Sequence, residues 1–531
     1  MPSLRLQKAQ NDFQNYKSDV IRLQALLVWA SLAQLVEHSI CNRTVVGSSP
    51  TTGSIPHRFT FLTSVICHKH FPVLTHREMK TASTQNNRSR PIAIRQVALG
   101  LALTFRLAHS FVLQMRCFLT FLAVLSLNWT SLVKGNEAMS VEVVQITREP
   151  HTHFFGYIGH VQNIPWNKSG RFIVALQSDF HDRMPGPNDP ARVVLIDTEN
   201  DYHVTVVDQS RGWNPQQGTM FYWNPANPET QFFFNDRDVK TGKVFCVLYD
   251  IKLDKRVREY RFDDTPIGNG GVAQNGGWFL GLNYARMARL RPVTGYKGTW
   301  DWTEGEAHPK NDGLFRVDIQ TGKKQLLVSF QQMANELTAI GRDVKNSHLF
   351  INHSLSNREG DRIFFFARAG WSGQKGERIN HPFITNDKGE NLRSNRIHIG
   401  GHPEWDYGHR MIGRLGDRQI LFDTDQQLIA GTLGTPEIFP NPEGDIALSP
   451  NGKLFINGHK DRKNKKNFYT IYRREDGAYF RTKGFNIAHW QSGDLRQDPS
   501  PCWNRNSDQI LVPGVSKNGK TRQLFILKLK Q

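Results

Sequence analysis

Cysteine is scarce in this sequence: 531 residues contain only Cys41, Cys67, Cys117, Cys246 and Cys502. None of them belongs to a CxxC pair, and the one CxxH, formed by Cys67 and His70, has no second pair of ligands near it. A structural zinc site of the usual spacing is therefore excluded. Two cysteines in residues 139–531 are too few for a disulfide scaffold. We expect both to be buried thiols, with one long-range bridge as the alternative.

Familiar catalytic motifs are also missing. The sequence has no G-x-S-x-G elbow, no Walker loop and no H-E-x-x-H. Residues 268–277 (GNGGVAQNGG) are rich in glycine, but no helix signal follows them, so we interpret them as turns rather than as a phosphate cradle. The sequence therefore gives little indication of serine-hydrolase, nucleotide-binding or zinc-protease chemistry.

Acidic residues are fewer than basic ones, 48 against 67, for a formal net charge of +19. Residues 1–138 contribute +10 of this charge, and residues 139–531 only +9 over 393 residues. No lysine or arginine stripe dominates the longer part, so we do not expect nucleic acid as the partner. Hydrophobic residues at 38% and charged residues at 22% can build a core, which excludes general disorder.

We interpret residues 1–114 as a spurious upstream translation without folded structure. Residues 31–54 match no fold signal and resemble the conceptual translation of a transfer-RNA gene, with a genuine disordered extension as the alternative. Residues 115–138 have the layout of a signal peptide: Met115, Arg116, an 11-residue apolar run at 117–127, and small residues up to Ala138. That run is too short to span a bilayer stably, so we expect cleavage, no lasting membrane insertion, and a periplasmic or secreted protein.

Residues 139–531 repeat a pair of half-motifs. The first is a turn followed by a strand, as in residues 164–176 (IPWNKSGRFIVAL) and 501–514 (PCWNRNSDQILVPG). The second is a strand followed by a charged turn, as in residues 314–323 (LFRVDIQTGK). Turns rich in Asn, Asp, Ser and Gly between aromatic and β-branched runs are hairpin signals.

The repeat count predicts the architecture. Seven units are found, and Trp166 and Trp503 stand 337 residues apart over six intervals. A spacing of about 56 residues with four short strands per unit is typical of propeller blades. We predict an all-β, seven-bladed β-propeller over residues 139–531, with eight blades or two stacked β-domains as alternatives. We also predict that the N-terminal strand, residues 141–147 (VEVVQIT), closes the last blade beside residues 524–529.

Blade register indicates which side chains face the central channel. The blades align on Trp166, Trp223, Ser356, Trp405 and Trp503. Three residues earlier stand Asn163, Met220, His353, His402 and Ser500. Six residues earlier stand His160, Gln217, Phe350, Ile399 and Gln497. Imidazoles and an amide on one axis can bind a divalent cation or bracket an acidic sugar; the alternative is that they only hydrogen-bond nearby loops.

Charged residues near predicted strand ends offer a second set of candidates, namely Arg211, Arg286, Arg289 and Arg368. A guanidinium fork suits the carboxylate or sulfate of an acidic polysaccharide, although most arginines are solvated turn charges. Asp406 and Asp498 are acid–base candidates, with Asx turns as the alternative.

Several motifs carry a resemblance to a known family. Residues 211–238, which include RGWNPQQG, residues 282–296 (LNYARMARLRPVTGY), and the pair INHSLSNREG and GGHPEW resemble exported bacterial propellers. These are similar to oligogalacturonate lyases and to TolB-like, WD40-like propellers, and the resemblance covers nearly all of residues 141–531. Two departures matter. The Gln-x-x-His-x-His ligand set of the lyases is not found, and the last blade reads DPSPCW where relatives often have a histidine.

The resemblance implies a site and a reaction. A divalent metal, manganese first, would be held by His353, His402 and Gln217, with His160 as the base and Arg368 or Arg211 as the carboxylate clamp. The implied function is β-elimination on uronate-containing oligosaccharides or polysaccharides by a monomeric protein. The alternative is a non-catalytic propeller that binds glycan or protein partners in the cell envelope, because the fold supports both.

Overall fold

The computed structural model describes residues 139–156, 163–371, 374, 376–442 and 444–530. The segments interpreted as an upstream translation (1–114) and a signal peptide (115–138) lie outside the described residues, as does the candidate base His160. Those three interpretations therefore stay predictions.

Strands in the described residues form seven antiparallel sheets, one per predicted repeat, which confirms the seven-bladed propeller. The first three blades are β2 (Thr152–Phe154), β3 (Phe172–Ser178), β4 (Ala191–Asp197) and β5 (His203–Ser210); β6 (Tyr222–Trp223), β7 (Gln231–Arg237), β8 (Val244–Asp250) and β9 (Lys255–Tyr260); and β10 (Gly268–Val272), β11 (Trp278–Leu282), β12 (Gly313–Asp318) and β13 (Lys324–Ser329).

The next three blades follow the same order from the inner strand outward. They are β14 (Phe350–Ser356), β15 (Arg362–Ala369), β16 (Ile379–Asn386) and β17 (Arg393–Ser394); β18 (Gly400–Trp405), β19 (Arg410–Leu415), β20 (Arg418–Asp423) and β21 (Leu428–Leu433); and β22 (Asp445–Leu448), β23 (Leu454–Asp461), β24 (Lys466–Arg473) and β25 (Tyr479–Arg481), with β26 (Phe485–Asn486) also on β24.

The seventh blade joins the two ends of the propeller. Its inner strands are β27 (Cys502–Trp503), β28 (Gln509–Val515) and β29 (Arg522–Lys530), and its outer strand is β1 (Ser140–Gln145). β1 runs antiparallel to β29, with Val141 opposite Leu529. The predicted closure is confirmed, and it ties the last blade to the start of the propeller through backbone hydrogen bonds.

Each blade is apolar on both faces because it is packed between two neighbours. In β7, Phe232, Phe233 and Phe234 are all fully buried. Successive side chains of a strand point to opposite faces. Phe233 accordingly joins the core shared with the third blade, whereas Phe232 and Phe234 join the core shared with the first. The continuous aromatic runs seen in the sequence are the consequence.

The repeated tryptophan sets the spacing between adjacent blades. The indole Nε1 of Trp223 donates to the Pro165 carbonyl at 2.7 Å, and that of Trp405 donates to the Leu355 carbonyl at 2.9 Å. Trp503 repeats the contact with the Ala447 carbonyl at 3.1 Å. Each indole thus satisfies a backbone acceptor of the preceding blade.

Two short helices interrupt the all-β pattern, and the strand-based prediction did not include them. They are α1 (Tyr284–Leu290), which lies between β11 and β12, and α2 (Phe330–Ala339), which follows β13. The Asn283 side chain caps α1 by accepting a hydrogen bond from the backbone of Arg286 at 2.9 Å. No helix in the described part of the chain is long and apolar enough to cross a membrane. Cys246 and Cys502 are buried free thiols, as predicted.

Candidate functional site

A polar cavity of about 260 Å³ lies where several inner strands begin, and we call it the central cavity. Five sequence candidates line it together: Gln217, His353, Arg368, His402 and Asp498. The register argument put Gln217, His353 and His402 on one axis, and all three line the cavity; Arg368 and Asp498 came from the separate set of charged residues. Arg211 does not line this cavity; its backbone N–H donates to Asp236 Oδ1 at 2.8 Å.

A β-bulge turns His353 out of the regular strand ladder. The pairing of β14 with β15 shifts between Asn352 and Ser354, and His353 between them has φ +62°. Met220 and Ser500, at the same position of their blades, also have positive φ, at +59° and +45°. Bulges redirect single side chains and are common near functional sites, and a positive φ in a residue other than glycine stores strain.

His353 and His402 contact each other, and a buried carboxylate holds one of them. Their rings meet edge to face with centroids 5.0 Å apart. Nδ1 of His402 lies 2.7 Å from Oδ1 of Asp445, which is almost fully buried. Burial raises the pKa of Asp445, but attraction to His402, their close contact and the Ser500 backbone N–H outweigh it, so the pKa lies below its ordinary value. Asp445 is therefore a carboxylate that orients the His402 ring.

Arginines give the central cavity a positive wall. Arg291, Arg368, Arg414 and Arg496 line it. Arg368 is 7% exposed, and its one side-chain hydrogen bond among the described residues goes from Nε to Oδ1 of Asn380 at 2.8 Å. Burial, with help from Arg291 and Arg378, lowers the pKa of Arg368 to about 9. The cation is destabilised where it stands, so an anion in the cavity would stabilise it.

An aromatic ring links these cations. Trp371 has the Arg291 guanidinium 4.3 Å from its ring centroid and that of Arg378 4.0 Å away. Nε of Arg291 has no hydrogen-bond partner in the described part of the chain. Burial lowers the pKa of Arg291 to about 10, and Arg496 contributes. Trp371 thus holds the Arg291 guanidinium at the cavity through a cation–π contact, which uses none of its N–H donors.

The carboxylates at the cavity are already engaged. Asp498 pairs with Lys460 and, at 3.1 Å, with Nε of Arg496. Asp445 is engaged with His402. Asp498 is therefore held by two cations, and this structural role is an alternative to the acid–base role that the sequence suggested. Asp406 likewise lies in a bidentate pair with Arg474, at 2.8 and 2.9 Å.

The donor set does not fit a divalent metal held by protein ligands. In the described residues, no three His, Cys, Asp or Glu side chains group closely enough to hold a metal ion. The amide of Gln217 donates to Oδ1 of Asn352 at 3.3 Å. Four guanidinium groups in the same wall repel a dication. His353, His402 and Gln217 lie together as predicted, but their surroundings suit an anion.

Sequence reasoning missed Asp445, although a signal for it was available. In the sixth blade Leu448 pairs with Phe455, seven residues later, as Trp503 pairs with Ile510. Aligning that blade on Leu448 puts Asp445 three residues earlier, the register position of His353 and His402. Arg291 and Trp371 belong to loops outside the repeat, so no register pointed to them.

Comparisons with known proteins show the fold. No family model matches the chain, and no curated protein matches it. An oligogalacturonate lyase in complex with manganese is similar in structure, with TM-score 0.50 and 14% identity over 74% of this chain and 97% of that chain. An oligogalacturonate lyase from Vibrio parahaemolyticus (TM-score 0.49, 12% identity, 74% and 97% covered) and TolB from Acinetobacter baumannii (0.33, 12%, 68% and 81%) are also similar. The likeness to the manganese-bound lyase shows a shared β-propeller fold.

Proposed function

We propose that this protein is an exported propeller that binds a uronate-containing oligosaccharide in the central cavity and cleaves it by β-elimination. One observation carries the proposal. Arg368, a buried cation without a carboxylate partner among the described residues, opens onto the same cavity as the His402–Asp445 pair. A carboxylate clamp and a base are the two groups that this reaction needs.

The clamp acts first. A uronate carboxylate against Arg368 and Arg291 would gain charge-assisted hydrogen bonds from donors that the protein leaves unused. Neutralising that carboxylate makes the proton on the adjacent carbon easier to remove, because the negative charge that develops there is spread onto the carboxylate oxygens.

The elimination then moves one proton and breaks one bond. His402, with Nδ1 held by Asp445, takes the proton alpha to the carboxylate on its other ring nitrogen. The electron pair of that C–H bond forms a carbon–carbon double bond, and the bond from the neighbouring carbon to the glycosidic oxygen breaks. The oxygen leaves with its electron pair and accepts a proton from His353, whose ring contacts His402. Proton exchange with solvent restores both imidazoles.

Asp445 acts as a positioning residue in this scheme, because it touches His402 and not the substrate. Asp445→Asn is expected to lower kcat by about ten- to a hundredfold and to leave KM nearly unchanged. The pH profile of kcat would shift with it, which a purely structural effect on folding would not produce.

Polygalacturonate is the first substrate to test, with the ultraviolet absorbance of the unsaturated product as the readout. The wild-type protein and His203→Gln, which changes an exposed histidine in β5, should both form product, and His402→Gln should not. Binding without product in the wild type would contradict the lyase proposal and support the non-catalytic alternative. No binding would contradict both.

A further inference from the structure

A second cavity lies outside the repeated strands, on segments that the propeller pattern does not include, and we call it the insertion pocket. Its volume is about 550 Å³, within the range of roughly 300–1,000 Å³ in which pockets hold small molecules. It is lined by Arg289, Leu290, Ala307, Lys345, Asn346, His348 and Gln374. None of these residues lines the central cavity, so the two spaces are separate.

Three segments between strands build the insertion pocket. Helix α1 and Ala307 lie between β11 and β12, residues 345–348 lie between α2 and β14, and Gln374 lies between β15 and β16. The Leu349 N–H donates to the Ala307 carbonyl at 3.3 Å, and the Gln374 side-chain amide donates to the Leu290 carbonyl. These hydrogen bonds tie the walls of the pocket together across the three segments.

Every ionisable side chain that lines the insertion pocket is basic, namely Arg289, Lys345 and His348. Lys345 is exposed and forms no salt bridge among the described residues. Arg289 is paired on one side only: its Nε and Nη2 both donate to Oδ2 of Asp301, at 3.1 and 2.9 Å. Its Nη1 makes no hydrogen bond in the described part of the chain, so a donor is left for a ligand. The sequence indicated Arg289 as a fork for an acidic group, and the central cavity does not contain it.

His348 adds a buried polar atom that the fold does not use. Its Nδ1 has no hydrogen-bond partner among the described residues. Burial lowers the pKa of His348, and the positive charges of Arg286 and Arg289 and the nearby His308 contribute. A neutral ring that carries its proton on Nδ1 would donate to a ligand oxygen, and that contact would remove the cost of an unpaired buried group. An anion would also offset the positive charge around the ring.

We propose that the insertion pocket binds a sugar that carries a sulfate or phosphate ester, with the ester group held by Arg289, Lys345 and His348. Both esters present negatively charged oxygens that accept hydrogen bonds and carry no carboxylate geometry. Oε1 of Gln374 is buried without a hydrogen-bond partner among the described residues, so it would accept from a hydroxyl of the same sugar. The volume admits the ring as well as the anion. This site does not depend on β-elimination, because it shares no residue with the central cavity.

Titration calorimetry with galactose 6-sulfate and galactose 6-phosphate tests the insertion pocket, with uncharged galactose as the comparison. The full chain with Arg368→Met is the parent protein, so that the proposed clamp of the central cavity does not contribute. We expect the parent to bind at least one ester and to bind galactose at least about tenfold more weakly. Adding Lys345→Gln and His348→Gln together should weaken ester binding by at least about tenfold. Adding Lys388→Gln, an exposed lysine of the turn between β16 and β17, should not change it.

The outcomes identify the anion as well as the site. If one ester binds more tightly, it is the source of the anion; equal affinities would show a site for either. If neither ester binds, if galactose binds as tightly, or if the double substitution has no more effect than Lys388→Gln, the proposal is overturned. Failure of the polygalacturonate assay would leave this result unaffected.

A single substitution covers the case in which the double variant fails to fold. Lys345 is exposed and unpaired among the described residues, so Lys345→Gln should leave the melting temperature unchanged. Its affinity for the ester should still fall, by about three- to tenfold, because one charged donor is lost. Unchanged ester affinity in this variant would contradict the insertion pocket as the binding site.

Discussion

Two buried arginines of this propeller, Arg286 in α1 and Arg368 in β15, differ in how many of their N–H donors the fold uses. Arg286 is 1% exposed and donates to five oxygens: the carbonyls of Leu349, Glu306 and Ala307 at 2.5, 3.0 and 2.8 Å, and the hydroxyl and carbonyl of Thr303 at 2.9 and 3.5 Å. Arg368 is nearly as buried, yet it has one such bond among the described residues. Burial lowers the pKa of both. The number of donors that the fold uses, and not burial, therefore distinguishes Arg286 from Arg368, which we propose as the carboxylate clamp.

The largest expected effect is on the structural arginine. Arg286→Met should lower the free energy of unfolding by about 3–5 kcal/mol, because it leaves five acceptor oxygens without their donor and removes a positive charge that favours the ionised form of the buried Asp312. Denaturant titration measures this, with Arg148→Met, whose side chain is 72% exposed, as the control. Equal stability of the two variants would contradict a structural role for Arg286.

A buried carboxyl group extends the comparison to acids. Glu404 in β18 accepts one hydrogen bond, from the Leu448 N–H at 2.7 Å, and its Oε1 has no partner in the described residues. Burial raises the pKa of Glu404 to about 8. Because the folded pKa exceeds the ordinary 4.5, stability is full below pH 4.5 and is lost as the pH rises to about 8.

Glu404→Gln should flatten this dependence. Between pH 5 and pH 8 the wild type should lose a few kcal/mol of unfolding free energy, and the variant much less, since glutamine keeps the acceptor for Leu448 without a proton to lose. Denaturant titrations at the two pH values measure the difference. A parallel loss in both proteins would show that other groups cause the dependence.

Arg368 should give the opposite result from Arg286. Arg368→Met removes a cation that the fold leaves with unused donors, so the melting temperature should stay the same or rise. Affinity for digalacturonate should fall by about ten- to a hundredfold. Melting temperatures and calorimetric affinities, measured on the same samples, test both expectations. Destabilisation as large as that of Arg286→Met would contradict the proposed difference between Arg368 and Arg286.

The smallest expected effect is that of metal removal. Since the described donor set does not fit a divalent metal, dialysis against a chelator should leave product formation and the melting temperature unchanged. Activity that is lost on chelation and restored by Mn²⁺ would show that residues outside the described ones, such as His160, complete a metal site.

Much of the fold could be predicted from local sequence patterns. The turn residues and aromatic runs recur along the blades, and Trp223, Trp405 and Trp503 mark the same point of three inner strands, so blade number, closure by β1 and the convergence of His353 with His402 followed from spacing. Arg368 was predicted from a different feature, its place near the end of a strand. The helix α1 was missed because it lies in an insertion outside the repeat.

The sequence by itself therefore determined the blades and the side chains at which they start. Each blade is a local unit, since its strands and its turns lie within about 50 consecutive residues. Only the tertiary structure decided what those side chains do. Whether an arginine is satisfied depends on acceptors far along the chain, such as the Leu349 carbonyl for Arg286. The carboxylate beside His402, Asp445, comes from the next blade. Whether a buried donor or acceptor has a hydrogen-bond partner depends on residues that are far apart in the sequence, so a local sequence pattern does not predict it.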